Sequence, residues 1–155
     1  MKKLLIAGAV LGVGYLVYAS YKTVQDYASV LSQLKAWPTK IKSFKWINLS
    51  RARLVIDLKI ENPTTTALSI DTASTAILKK VMVYMDGKQL GIIEVNRSGI
   101  EIPALGTTTI ENLPLDFDPI GIGITVLQNG SNFDVTKLTA AAVVNVFGTD
   151  YLIKQ

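Results

Sequence analysis

The side chains that could do chemistry in this chain are almost all carboxylates. Its 155 residues include neither histidine nor cysteine. That removes Ser-His-Asp and Cys-His nucleophiles and the usual zinc, copper and non-haem iron ligand sets. Paired acids remain, for glycosidase-like acid–base work or for a hard cation. Asp116 and Asp118 share a strand face and could hold calcium. A solvated face ending in a helix N-cap is the simpler account, so no catalytic residue, metal ligand or cofactor is assigned. Gly121-Ile122-Gly123 lacks the third glycine and the lysine of a phosphate loop. The expectation is a protein that is not an enzyme, has no small-molecule substrate and works by binding.

Charge is divided unevenly. Residues 1–53 carry nine Lys/Arg and one acid, Asp26, whereas residues 54–155 carry seven Lys/Arg and eleven acids. The sequence thus separates into a basic leader and a mildly acidic domain. It shows no internal repeat and no low-complexity segment.

Leu4 to Ala19 is a run of sixteen uncharged residues. As a helix it would span about 24 Å, slightly less than a bilayer core of about 30 Å. Lys2, Lys3 and Lys22 can snorkel to the headgroups. Tyr15, Tyr18 and Tyr21 cluster where an interfacial aromatic belt would sit. A signal peptide cut after Val17-Tyr18-Ala19 is the rival reading; the one adopted is a single-pass anchor over residues 1–21. Its contact residues would be Leu4, Gly8, Gly12, Tyr15 and Tyr18; Gly8 and Gly12 match a small-xxx-small pair, though glycine's general frequency in membrane helices is the simpler account.

Residues 22–42 read as an amphipathic stalk and basic linker. Val24, Tyr27, Leu31 and Leu34 recur at helical spacing, and Pro38 ends the pattern. The stripe can pack on the chain's own domain, on headgroups or on a partner. From Lys35 to Arg53 there are six basic residues and no acid, with Trp37, Phe44 and Trp46 interleaved. Beside a membrane helix this composition suits anionic headgroups, at about 1 kcal/mol per basic residue near the surface. Lys35, Trp37, Lys40, Lys42, Lys45 and Trp46 are the candidate contacts. A solvated strand face is the plain alternative; nucleic-acid stacking ranks below both.

Residues 43–155 read as a β domain. Leu54, Ile56, Leu58 and Ile60 alternate with polar neighbours, and Asn62-Pro63 stops that strand. Further strands are expected over 77–85, with an Asp86-Gly87 hairpin turn, over 89–95, near Ile100, and over 107–117. The last is interrupted at 112–114, which indicates an edge position or a bulge. Asp118-Pro119 reads as the start of a short helix, with Ile120, Ile124 and Leu127 buried. Strands over 137–147 and 151–154 close the chain. The expected fold is mainly β: an immunoglobulin- or fibronectin III-like sandwich with one short helix.

The strand-then-Asn-Pro segment Leu54–Pro63 resembles the signature of the late embryogenesis abundant type 2 family, also described as the water-stress and hypersensitive-response (WHy) domain. Gly87–Gly91 is similar to that family's central hairpin. Ile102-Pro103-Ala104, Gly106–Thr109 and Leu113-Pro114-Leu115 are similar to the strand after it. The resemblance covers residues 40–155. It implies a fibronectin-like sandwich, desiccation or stress protection, frequent membrane tethering and no catalytic residues. Two roles follow as expectations. One is a membrane-anchored structural or interaction protein with protein partners in a larger assembly, such as a minor component of a lipid-containing virion or of a bacterial envelope complex. The other is a stress-protective or anionic-lipid-binding protein. Either places the chain in a membrane, virion-internal or of the cell envelope, with the bilayer as a partner.

Overall fold

The computed structural model describes residues 25–70, 76–124 and 133–155. The anchor residues Leu4, Gly8, Gly12, Tyr15 and Tyr18, and Val24 of the stripe, lie outside them. Among the described residues no helix is long and apolar enough to cross a membrane.

The first described element is helix α1, residues 25–31. Its last turn tightens through Gln33 N–H to the Val30 carbonyl and Leu34 N–H to the Leu31 carbonyl. Ser32 Oγ and Gln33 Nε2 both donate to the Ser29 carbonyl, which satisfies an acceptor the helix leaves open. Val30, Leu31 and Leu34 are buried in the main core, and Tyr27 packs against it. From Tyr27 onward the expected stalk therefore lies on the chain's own domain, because its apolar stripe is buried there.

Nine strands follow among the described residues: β1 Lys35–Trp46, β2 Ala52–Asn62, β3 Leu68–Ile70, β4 Ala76–Met85, β5 Lys88–Arg97, β6 Ile100–Ile102, β7 Gly106–Phe117, β8 Leu138–Val146 and β9 Thr149–Lys154. A 3-10 turn, Val135–Lys137, leads into β8. Residues 35–42, expected as linker, are strand. Seven strands form one sheet in the order β5-β4-β8-β9-β1-β2-β7, and β3 pairs with β6 separately.

The mainly β expectation holds, but the two facing sheets of an immunoglobulin-like sandwich are replaced by one strongly curled sheet, close to a barrel. Strands of 9–12 residues dominate it, and register shifts interrupt the β1–β2, β2–β7, β4–β5 and β4–β8 pairings. Each shift adds local twist and bend. The edge strands consequently approach each other: a Cβ added at Gly91 in β5 would lie 2.9 Å from Leu115 Cδ1 in β7. The inner face is apolar, with Leu54, Ile56, Leu58 and Ile60 of β2 fully enclosed.

The second helix is not present as expected in its described part. Residues 119–123 form a turn. Asp118 Oδ1 accepts from Ile120 N–H and Gly121 N–H, so the capping role is real. Ile120 is exposed rather than buried, since the glycines on either side of Ile122 favour a turn over a helix. Leu127 lies outside the described residues.

Candidate functional site

Strands β1 and β2 pair antiparallel, with Ala36 opposite Ile60, Pro38 opposite Leu58, Ile41 opposite Ile56, Phe44 opposite Leu54 and Trp46 opposite Ala52. These residues face the core. The alternate positions therefore form an outer flank: Lys35 opposite Glu61, Trp37 opposite Lys59, Lys40 opposite Asp57, and Lys45 opposite Arg53. Bulges between Pro38 and Lys40 and between Ile41 and Ser43 keep both sets in phase. Because β1 meets β9 at Lys35 alone, no β9 ladder bond exists at Pro38 for the proline to remove.

The flank continues onto β7, which pairs with β2 on its other side. Arg53 and Asp116 form a bidentate pair, with Nε to Oδ1 at 2.5 Å and Nη2 to Oδ2 at 2.7 Å. The Arg53 guanidinium holds the Asp116 carboxyl below its usual range, with help from Arg51 and Lys45. Lys42 Nζ lies 3.4 Å from Asp57 Oδ1 and 3.6 Å from Glu111 Oε2. Asp57 is buried, and its Oδ1 also accepts from Asn112 N–H at 3.0 Å. Asn112 has a positive φ of 59°, a conformation asparagine tolerates. The interruption expected at 112–114 is thus a bulge in an edge strand, closed by a buried carboxylate.

Lys42 and Arg53 are engaged by these carboxylates. Lys35, Lys40, Lys45, Arg51 and Lys59 make no ion pair among the described residues. The flank therefore carries excess positive charge, with Lys35, Lys40 and Lys59 nearest half-buried Trp37. Of the six sequence candidates, Lys35, Trp37, Lys40 and Lys45 are brought together as an outward set. Lys42 belongs to the ion network. Trp46 faces inward and is corrected: it packs edge-on against Phe44, centroids 5.9 Å apart, and Phe44 stacks on Phe133 at 5.6 Å. Its register opposite Ala52 turns it to the core. Lys59 was missed; its outward phase on β2 was readable, but its pairing with Trp37 was not.

The two acids considered for chemistry, Asp116 and Asp118, are committed to structure, as are Asp134 and Asp150. Asp116 pairs with Arg53, while Asp118 caps a turn. Asp134 accepts from Thr136 N–H at 2.9 Å, which lowers its pKa. Asp150 is held low by Asn145 Nδ2 and by Lys79. Asn62, fully enclosed, organises the loop after β2: its Oδ1 accepts from Thr64 N–H and Thr64 Oγ1, and its Nδ2 donates to the Thr66 carbonyl. The Asn-Pro motif thus fixes a loop.

The opposite outer flank, on β5-β4-β8-β9, differs. Ile92, Met82 and Ala141 are in register across it, as are Val143 and Leu152. Ile92 and Leu152 are exposed.

No family model and no curated protein matches this chain. Among solved structures it is similar to a crystal structure of a protein from Archaeoglobus fulgidus, with 10% identity and a TM-score of 0.34, over 77% of this chain and 86% of that one. It is also similar to a solution structure of a protein provisionally described as late embryogenesis abundant (LEA), with 9% identity and a TM-score of 0.29, over 97% of this chain and 87% of that one.

Proposed function

We propose that this chain is a membrane-tethered, non-enzymatic binding module that seats the cationic β1–β2 flank on anionic headgroups. The observation that carries the reading is the strand pairing that sets Lys35, Lys40 and Lys59 around Trp37, with Lys45 further along the same outer flank. The uncharged run Leu4–Ala19 supports the tether. The structural duties of Asp57, Asp116, Asp118, Asp134 and Asp150 support a non-catalytic role. Each basic residue held at an anionic surface contributes about 1 kcal/mol, and the attraction weakens as salt rises. The test compares the full-length protein in neutral and in anionic vesicles, with Trp37 emission as the readout after Trp46→Phe. A blue shift in anionic lipid alone, reversed by salt, is the expected result. Emission that ignores lipid charge rejects the reading.

A second role, as a component of a membrane-bearing assembly such as a virion or envelope complex, is favoured by the apolar residues of the β5-β4-β8-β9 flank. It would dock an apolar protein face there, and Ile92→Lys with Leu152→Lys would abolish that association.

A further inference from the structure

Among the described residues, five that are not glycine have a left-handed backbone: Asp86, Asn96, Leu105, Asn112 and Phe147. Three are Asp or Asn, which adopt this conformation readily. The other two are large and apolar, and both stand in water. Leu105 is 70% exposed and Phe147 52% exposed. Bulky side chains are disfavoured at positive φ, and these two are left more than half exposed, so burial returns only part of that cost.

The cost is clearest where one turn type occurs twice. Asp86-Gly87 and Phe147-Gly148 both have positive φ at two successive positions, as a two-residue type I′ hairpin turn requires. The first uses a residue suited to the turn. The second holds an exposed aromatic ring instead.

Both apolar tips lie at one end of the barrel. Lys35 opposite Glu61 and Asn62 opposite Gly106 put the start of β1, the end of β2 and the turn carrying Leu105 together. β9 runs parallel to β1, with Lys154 level with Lys35. The β8–β9 turn carrying Phe147 therefore lies at that end too. In the sheet order, β9 and β7 flank the β1–β2 pair, so the tips stand on either side of it. Both are firmly held. Leu105 N–H donates to the carbonyl of Thr64, in the loop that Asn62 fixes. Gly148 N–H donates to Asn145 Oδ1, and Asn145 is tied to Asp150. Helix α1 enters β1 at this same end, and the uncharged run Leu4–Ala19 precedes it in the chain.

We infer that Leu105 and Phe147 are paired lipid-inserting tips that dock this end of the barrel into the bilayer interface. The inference rests on the membrane-tethered reading above. Two exposed apolar side chains on fixed turns can enter the acyl boundary, while Lys35 and Lys59, between them, meet the headgroups. The tips would fix the orientation of the barrel, which a tether alone leaves free.

The test uses the full-length chain, which has no cysteine of its own, in vesicles of mixed zwitterionic and anionic lipid. Leu105→Cys, Phe147→Cys and, at the opposite end, Leu49→Cys each carry a polarity-sensitive fluorophore. The labels at positions 105 and 147 should be quenched by nitroxide-bearing lipid and shielded several-fold from aqueous iodide, and the label at 49 should show the reverse. Labels at 105 and 147 as open to iodide as that at 49, in protein that resists alkaline extraction, would overturn the insertion and leave the tether standing. Shielding from iodide without quenching by the lipid nitroxide would assign the tips to another partner and overturn it equally. Loss of the protein on alkaline extraction would reject both readings. The paired change Leu105→Asn, Phe147→Asn puts tolerant residues at both turns, so the melting temperature should hold or rise. A fall would assign these side chains to packing instead.

Discussion

The two outer flanks of this barrel share one interior and face the surroundings differently. On β1-β2-β7 the outward positions are mostly charged, and the carboxylates there are outnumbered. On β5-β4-β8-β9 the outward positions include Ile92, Met82, Ala141, Val143 and Leu152. The period-two alternation of a strand sets which residues face in, while the outward set is free to vary. Stability should therefore be common property, and binding should divide between the flanks.

The largest expected effect removes what the flanks share. Ile56→Ala or Leu58→Ala deletes a fully enclosed side chain and should cost about 2–5 kcal/mol by denaturant unfolding. A cost that small surface changes also show would mean that the inner row is not the core. Next comes Asn62→Ala, which strips partners from Thr64 and the Thr66 carbonyl. About 1–3 kcal/mol is expected, with faster amide exchange confined to residues 64–67 and 105. Exchange that accelerates evenly over the sheet would contradict a local role.

Several elements were legible because their signals are local. β2 shows clean alternation, and Asp86-Gly87 names its turn. Asp118 caps as its position before Pro119 suggests. β1 was hidden because its two bulges give inward residues Ala36, Pro38, Ile41, Phe44 and Trp46 uneven spacing, so period two is broken. The barrel-like closure was illegible because strand order and register are non-local. Trp46 looked like a partner of Trp37, but the two bulges cancel in phase and an odd separation leaves the two on opposite faces. Leu105 and Phe147 carried no signal in sequence, since only the backbone shows that they occupy left-handed positions.

Charge reversal on one flank sharpens the contrast. Lys35→Glu with Lys40→Glu should leave stability within about 0.5 kcal/mol and weaken seating on anionic vesicles by about 1 kcal/mol or more per residue. Vesicle quenching titrations would measure it. Ile92→Lys with Leu152→Lys should leave that seating unchanged; a matching loss would erase the distinction between flanks.

The smallest effect is that of pH. Asp116 is held below its unfolded value, chiefly by its hydrogen bonds to Arg53. Its contribution is therefore fully present above the unfolded pKa of about 4 and is lost as pH falls through the lower folded value. Asp116→Asn should flatten the acid limb of the stability curve slightly, because an exposed pair contributes little. An unchanged acid limb would mean that the Arg53 pair is not formed in solution.

The most direct test of the central claim reads Trp37 itself. With Trp46→Phe as background, full-length protein in anionic bilayers should show blue-shifted Trp37 emission, quenched by headgroup-level nitroxide. Added salt, or Lys35→Glu, Lys40→Glu and Lys59→Glu together, should abolish the shift. Identical emission in neutral and anionic bilayers, indifferent to salt and to these substitutions, would contradict the account.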